Sequence, residues 1–386
     1  MRPFLFHNPV KLYFGQGSLR ALNKMLQPQQ KVLVVYGGGS IKRNGVYDEV
    51  MGKLRELQVE VFELSGVEPN PRVETARQGI TICKKENIAL ILAVGGGSVI
   101  DCVKLIAAGA LIEEDAWAIP TQKVKVKDAL PFGVIVTLAS TGSEMNNNSV
   151  ITNSETNEKL DWASGYVFPQ FAIADPRYTV TVPKDHTVYG MVDIMSHCIE
   201  QYFHNETNTA IIDAFATGIL RTMIEVAPKL VAEPENVVYR ETVLHASTMA
   251  LNGLLTMGVY GDWGSHMVEH AVSAIYDIPH AGGLAILQPH WMRHFVDVNP
   301  ARFAKFAVDV FAVEQEAKTL EEIAYEGIDR LSAFWQSLGA PSRLADYGID
   351  ASRFDDIISH VMAEDTPSAF VDLQASDVRA ILEKSL

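Results

Sequence analysis

The 386-residue chain is too long for one compact core at about 150 residues per domain, and its 48% hydrophobic and 20% charged residues mark a globular protein. With 32 Lys and Arg against 47 Asp and Glu, the formal charge of -15 disfavours nucleic acid and anionic membranes as partners, and no basic patch offsets it. The longest apolar runs, 105–112 and 132–139, fall far below the ~20 residues of a bilayer span, the first residues lack a signal-peptide pattern, and Cys83, Cys102 and Cys198 form no disulfide framework, so the expected location is the cytoplasm.

In chain order, "VKLYFG" at 10–15 reads as a strand that can pair across a homodimer interface or pack within one chain. From residue 31, strand and helix alternate. "KVLVVY" leads into "GGGS" and a helical stretch near 45–57, and "VEVFEL" at 59–64 is the next strand. A helix follows near 73–86, then "IALILAV" at 88–94 runs into a second "GGGS" and a helix near 98–112, with further strands at 132–137 and 171–174. Such alternation predicts a parallel sheet covered by helices, its strands apolar because both sides are buried. After "DPRYTVTVPKDH" at 175–186 the pattern turns to long helical periodicity, broken at "AEPEN", "YGDWG", "HAGG", "DVNP" and "GAPS". The expected organisation is an α/β domain over 1–180 and an all-helical domain over 181–386.

Both glycine turns suggest a nucleotide. After "LILAV", Gly95, Gly96, Gly97 and Ser98 open directly into a helix, where bare backbone N–H groups and the positive helix end suit a pyrophosphate. The same turn without a ligand fits equally, since the run is neither GxGxxG nor a P-loop. At the end of the first strand, Gly37, Gly38, Gly39 and Ser40 occupy the place where dinucleotide sheets meet the adenosine ribose. No acid stands there before Asp48, and Lys42 and Arg43 follow, so a 2'-phosphate is tolerated.

Two helices carry metal-type side chains. In "VYGMVDIMSHCIEQYFH", 188–204, Asp193, His197, Glu200 and His204 share one stripe, which taken alone reads as a water-facing side. In "WGSHMVEHAVSAIYDIPHAGG", 263–283, His266 and His270 share a face and His280 follows. Imidazoles with one carboxylate suit Zn2+ or Fe2+, and the spacing leaves open which four groups bind. "HMVEH" also fits H-x-x-E-H, a zinc-peptidase pattern with Glu269 as base, though that reading leaves the nucleotide-like half without a purpose.

"FGQGS", "EPNP", "GGGSVID", "TLASTGSE", "GMVDIMSHCIEQY" and "HMVEHAVSAIYDIPHAGGLAI" together span the chain. On these motifs the chain resembles the iron-containing alcohol dehydrogenases, and within them the butanol dehydrogenase and NADPH-dependent aldehyde reductase branch. The resemblance implies a Rossmann-like α/β dinucleotide-binding domain, a C-terminal helical domain as in dehydroquinate synthase, and a homodimer. It implies one divalent metal, Fe2+ or Zn2+, on the residues matching Asp193, His197, His266 and His280, with His270 nearby. It further implies Gly96, Gly97, Ser98 and Asp101 around the pyrophosphate, Asn70 near the adenosine, and Thr137, Thr141 and Lys159 toward the nicotinamide, beside the turn of Gly38, Gly39 and Ser40. NAD-preferring relatives often carry aspartate at the position matching Gly39, so NADP(H) is expected ahead of NAD(H).

The activity so implied is hydride transfer between NADP(H) and a small primary alcohol or its aldehyde, such as butanol and butanal. The metal would polarise the carbonyl oxygen, and His270 would relay the proton through water or the cofactor ribose. Alternatives on the same fold are an NAD-dependent polyol dehydrogenase and a dehydroquinate synthase-like lyase. From another class comes the zinc peptidase.

Overall fold

A computed structural model describes residues 1–363 and 369–386. Its strands are β1 (Lys11–Phe14), β2 (Lys31–Gly37), β3 (Glu60–Val67), β4 (Leu90–Gly95), β5 (Phe132–Val136), β6 (Asn148–Asn153), β7 (Glu158–Ala163) and β8 (Phe171–Ala174). Six of them form one parallel sheet in the order β1-β8-β5-β4-β2-β3. The apolar runs have the expected cause: every residue of β4 and β5 is buried, as is the interior of β2.

Alternation along the strands sorts the side chains by face. Val32, Val34, Tyr36, Leu90, Leu92 and Val94 join Val46, Val50 and Leu54 of the helix Val46–Glu56 in one core. The helix Gly97–Gly109, buried along nearly its whole length, packs on β4 and β2. Because β3 is laid beside β2 on one side and β4 on the other, the direction in which successive strands are added reverses between β2 and β4. That is the switch point at which sheets of this kind open a crevice beyond their carboxyl ends.

The chain divides into two compact units, 7–183 with 234–248, and 1–6 with 184–233 and 249–386. The second unit is helical, with its site helices at Lys184–Tyr202, Gly264–Tyr276 and His280–His294. An aromatic cluster organises it: the Phe203 and Phe303 rings lie 4.4 Å apart, with Phe370 and Trp291 at 5.5 and 6.0 Å from Phe203.

Three differences from the sequence reading have physical causes. The water-facing side expected for the stripe of Asp193, His197, Glu200 and His204 does not exist, because the helix is buried on every side from Met191 to Tyr202. β6 and β7 form an antiparallel hairpin that the sequence did not announce, since Asn148, Asn153, Glu158, Lys159 and Asp161 blur the alternation. Residues 234–248 belong with the sheet unit, although they follow the point where helical texture begins.

No helix among the described residues is long and apolar enough to cross a membrane. Cys83, Cys102 and Cys198 are free and buried, and burial pushes the thiols of Cys83 and Cys102 up to about 12. At pH 8 a thiol-exchange reagent is therefore expected to label the native protein at least about 100-fold more slowly than the denatured chain, which should yield three thiols. Rapid stoichiometric labelling of the folded protein would contradict this burial.

Candidate active site

Asp193 and His197 project from the middle of the helix Lys184–Tyr202, one turn apart. His266, Glu269 and His270 come from the helix Gly264–Tyr276, and His280 opens the next helix after a break at Asp277–Pro279. The Nε2 of His197 lies 3.5 Å and that of His280 3.9 Å from Oδ1 of Asp193. Donor atoms of Asp193, His266 and His280 lie within 4.8 Å of one another, and so do those of Glu269, His270 and His280. The His197 and His266 rings stack at 5.1 Å, and the Trp263 ring stands 5.3 Å from His266.

Three carboxylates share this interior: Asp193 at 1% exposure, Glu200 at 2% and Glu269 at 0%. Their ion-pair contacts include imidazoles: Asp193 meets His197 and His280, Glu200 meets His266, and Glu269 meets His280. An imidazole offsets buried negative charge only when protonated, and burial drives His197 the other way, down to about 4 despite Asp193. For His266 burial is also the largest single influence, yet Glu200, Asp193 and Glu269 together outweigh it and raise its pKa. The Nε2 of His266 is buried with no hydrogen-bond partner among the described residues. A divalent cation fits this donor set, since it neutralises the carboxylates and engages neutral imidazole nitrogen.

In the sheet unit, the turns after β2, β4 and β5 lie side by side at the carboxyl edge. Gly95 accepts the N–H of Thr137 at 3.0 Å, which ties the turn after β4 to the segment leaving β5. At Gly97 a Cβ would meet Oγ1 and Cγ2 of Thr141 at 2.5 Å, so a side chain cannot be added without displacing that threonine. Ser98 follows inside the helix. Gly38 and Gly39 form the turn after β2, Gly39 at φ 99° in the left-handed region, and Ser40 starts a short helix. Beyond it the Lys42 ammonium lies over the rings of Tyr36 and Tyr47, at 5.0 and 4.8 Å, and the hydroxyls of both tyrosines donate to Glu63.

Behind these turns stands a buried polar cluster. Lys104, fully buried, donates from Nζ to Ser143 Oγ, Asn146 Oδ1 and the Asn148 carbonyl at 2.7, 2.8 and 2.6 Å. Burial pulls its pKa down to about 8, against the pull of Asp101 and Glu144, so it stays cationic near neutrality. Asp101 accepts from Ser143 Oγ at 2.6 Å and from the Val150 N–H at 2.9 Å.

Models of two protein families cover most of the chain: iron-containing alcohol dehydrogenase over residues 9–176 and the C-terminal part of the Fe-containing alcohol dehydrogenase family over 187–386. The chain belongs to the iron-containing alcohol dehydrogenases. Among relatives of this alcohol dehydrogenase, a probable NADH-dependent butanol dehydrogenase of Bacillus subtilis is 58% identical, with all of both chains covered. The NADPH-dependent aldehyde reductase YqhD of Escherichia coli is 39% identical, with 91% of each covered. A solved NADH-dependent butanol dehydrogenase A from Thermotoga maritima superposes with a TM-score of 0.95 at 38% identity, covering 100% of this chain and 99% of that one.

In this alcohol dehydrogenase the side chains expected at the metal are gathered unevenly: Asp193, His266 and His280 form one compact set, and His197 adjoins it through Asp193 and the His266 ring. His270 sits beside them, its ring 5.3 Å from His280. His204 is elsewhere, with Asp213 at 3.4 Å and Arg302 at 3.0 Å, in a network closed by Arg302 lying over Tyr202. On the sheet unit Asp101, expected near the pyrophosphate, accepts hydrogen bonds on both carboxylate oxygens, from Ser143 in the loop after β5 and from the Val150 N–H in β6. Asn70 takes a left-handed turn at φ 51°, and Lys159 is buried on β7 opposite Thr152. Glu200 and Glu269 were missed as partners of the histidines. Their presence on stripes that also carry ligand-type residues was the available signal.

Gly97→Ala is expected to raise the dissociation constant of the dinucleotide by roughly 10- to 100-fold, the scale of a displacement of about 1 Å in a binding geometry. Titration of cofactor fluorescence measures it, with circular dichroism checking that the fold is kept. Unchanged affinity would separate this turn from cofactor binding.

Proposed function

We propose that this enzyme transfers hydride reversibly between a nicotinamide dinucleotide and a small primary alcohol or its aldehyde, with butanol and butanal as representative substrates. The carrying observation is the convergence of Asp193, His266 and His280, with His197 alongside, in an interior that holds three buried carboxylates. Asp193, His197, His266 and His280 would hold one divalent metal, which when bound supplies a Lewis acid for the substrate oxygen. The chain's own residues do the rest: burial keeps His197 in the neutral form that ligation needs, and His270, buried beside His280, is the group placed to pass a proton through water or the cofactor ribose. Glu269 contacts His280 rather than standing clear as a base, which supports a dehydrogenase over a peptidase built on "HMVEH".

On the nucleotide side the reading is a dinucleotide across the turns after β2 and β4, contacted by Gly38, Gly39, Ser40, Gly96, Gly97 and Ser98. Asn70 then lies toward the adenosine, and Thr137, Thr141 and Lys159 toward the nicotinamide. NADP(H) is supported by the missing acid at Gly39. A second reading, NAD(H), is favoured by relatives at 58% and 40% identity named NADH-dependent, and by a Lys42 ammonium already seated over two rings. A cytoplasmic homodimer completes the reading, supported by the free thiols and by β1 at the sheet edge.

His266→Ala is expected to lose metal and activity together, whereas His270→Ala should keep its metal while turnover falls by about 100- to 10,000-fold. Elemental analysis of protein purified without added metal, paired with NADH and NADPH oxidation over a short aldehyde series, checks both. An active, metal-free His266→Ala enzyme would sink the assignment. For the cofactor, Gly39→Asp should shift the kcat/KM ratio toward NADH by roughly 10- to 100-fold through repulsion of a 2'-phosphate. An unchanged ratio would place the 2' position away from this turn.

A further inference from the structure

The two imidazoles nearest Asp193 outside its own helix share an arrangement. His266 presents Nδ1 to Oε2 of Glu200, and His280 presents Nδ1 to Oε2 of Glu269. In each case the carboxylate stands at Nδ1, leaving Nε2. The His266–Glu200 pair is in ion-pair contact short of hydrogen-bond geometry, the Nε2 of His266 also has no hydrogen-bond partner among the described residues, and the Nε2 of His280 lies 3.9 Å from Oδ1 of Asp193. A carboxylate on the far nitrogen of a ligating histidine fixes the tautomer and the ring plane and makes the other nitrogen a stronger donor.

Both carboxylates are themselves held. Glu200 also accepts, through Oε1, from the Ser265 hydroxyl and from the His266 N–H at 3.0 Å, so it caps the start of the helix that carries His266. Glu269 lies against Gly283 in "HAGG", where a Cβ would come within 2.7 Å of its Cγ and 2.9 Å of Oε1. The bare backbone at Gly283 thus gives Glu269 the room to reach His280.

We propose that Glu200 and Glu269 are positioning residues for the metal, each accepting Nδ1–H of one histidine so that Nε2 is the atom left to the ion. The proposal rests on the metal reading above. It also excludes the other use of Glu269, as a direct ligand with His270 and His280 at a second cation site.

The test is Zn2+ affinity of the metal-stripped full-length protein, measured in competition with a chromophoric chelator, for the native chain, Glu200→Gln and Glu269→Gln. The expected result is one Zn2+ per chain in all three, with the dissociation constant raised about 10- to 100-fold in each variant. Unfolding temperatures of the metal-free variants should match that of the metal-free native chain, and Glu269→Asp should recover part of the affinity. Should Glu200→Gln fail to fold, because Glu200 also caps a helix, Glu269→Gln carries the test alone. Unchanged affinity overturns the proposal, as does a loss that merely follows lowered stability of the metal-free protein. Two Zn2+ per native chain falling to one in Glu269→Gln overturns it too, since Glu269 would then be a ligand. If the native chain itself binds no Zn2+, the metal reading has failed, which is a separate result.

Discussion

Buried negative charge is the constraint around which the helical unit is arranged. Asp193, Glu200 and Glu269 sit in an interior from which water is excluded, where an isolated carboxylate is strongly disfavoured. The fold answers with imidazoles at every turn and with backbone and hydroxyl donors on Glu200. Such a site has a definite sign, and a divalent cation offsets it while still engaging His197, which burial holds neutral.

The sheet unit solves the opposite problem. A dinucleotide brings phosphates, and the edge it would approach offers N–H groups, glycines and a helix start instead of carboxylates. Asp101, the acid nearest that edge in sequence, is turned inward onto Ser143 and Val150. Glu63 of β3 is tied to two tyrosine hydroxyls, with a lysine ammonium over both rings. Asp101 and Glu63 are thus engaged by the protein itself.

Much of this was legible in the sequence, for reasons that differ by element. β2, β4 and β5 declare themselves because both faces are covered and their apolar runs end in glycine or at the segment that follows. The helix with Asp193 and His197 was readable in extent but not in environment: periodicity reports which residues share a stripe, and only packing decides whether the stripe meets water. For the same reason Glu200 and Glu269 could not be assigned partners, since each reaches a histidine through tertiary contact. The hairpin of β6 and β7 was hidden by its charged and amide side chains, of which Asn153 and Lys159 are buried.

The ammonium of Lys104 has a wider consequence. It sits on the same helix whose first residue is Gly97, and it holds Ser143 and Asn146 in the loop after β5 and Asn148 at the start of β6. Glycine turn, helix and loop are therefore tied together by the protein's own hydrogen bonds. A ligand that meets a surface already tied in this way would give up little of its binding free energy to order the protein, and more of the interaction would be retained as affinity.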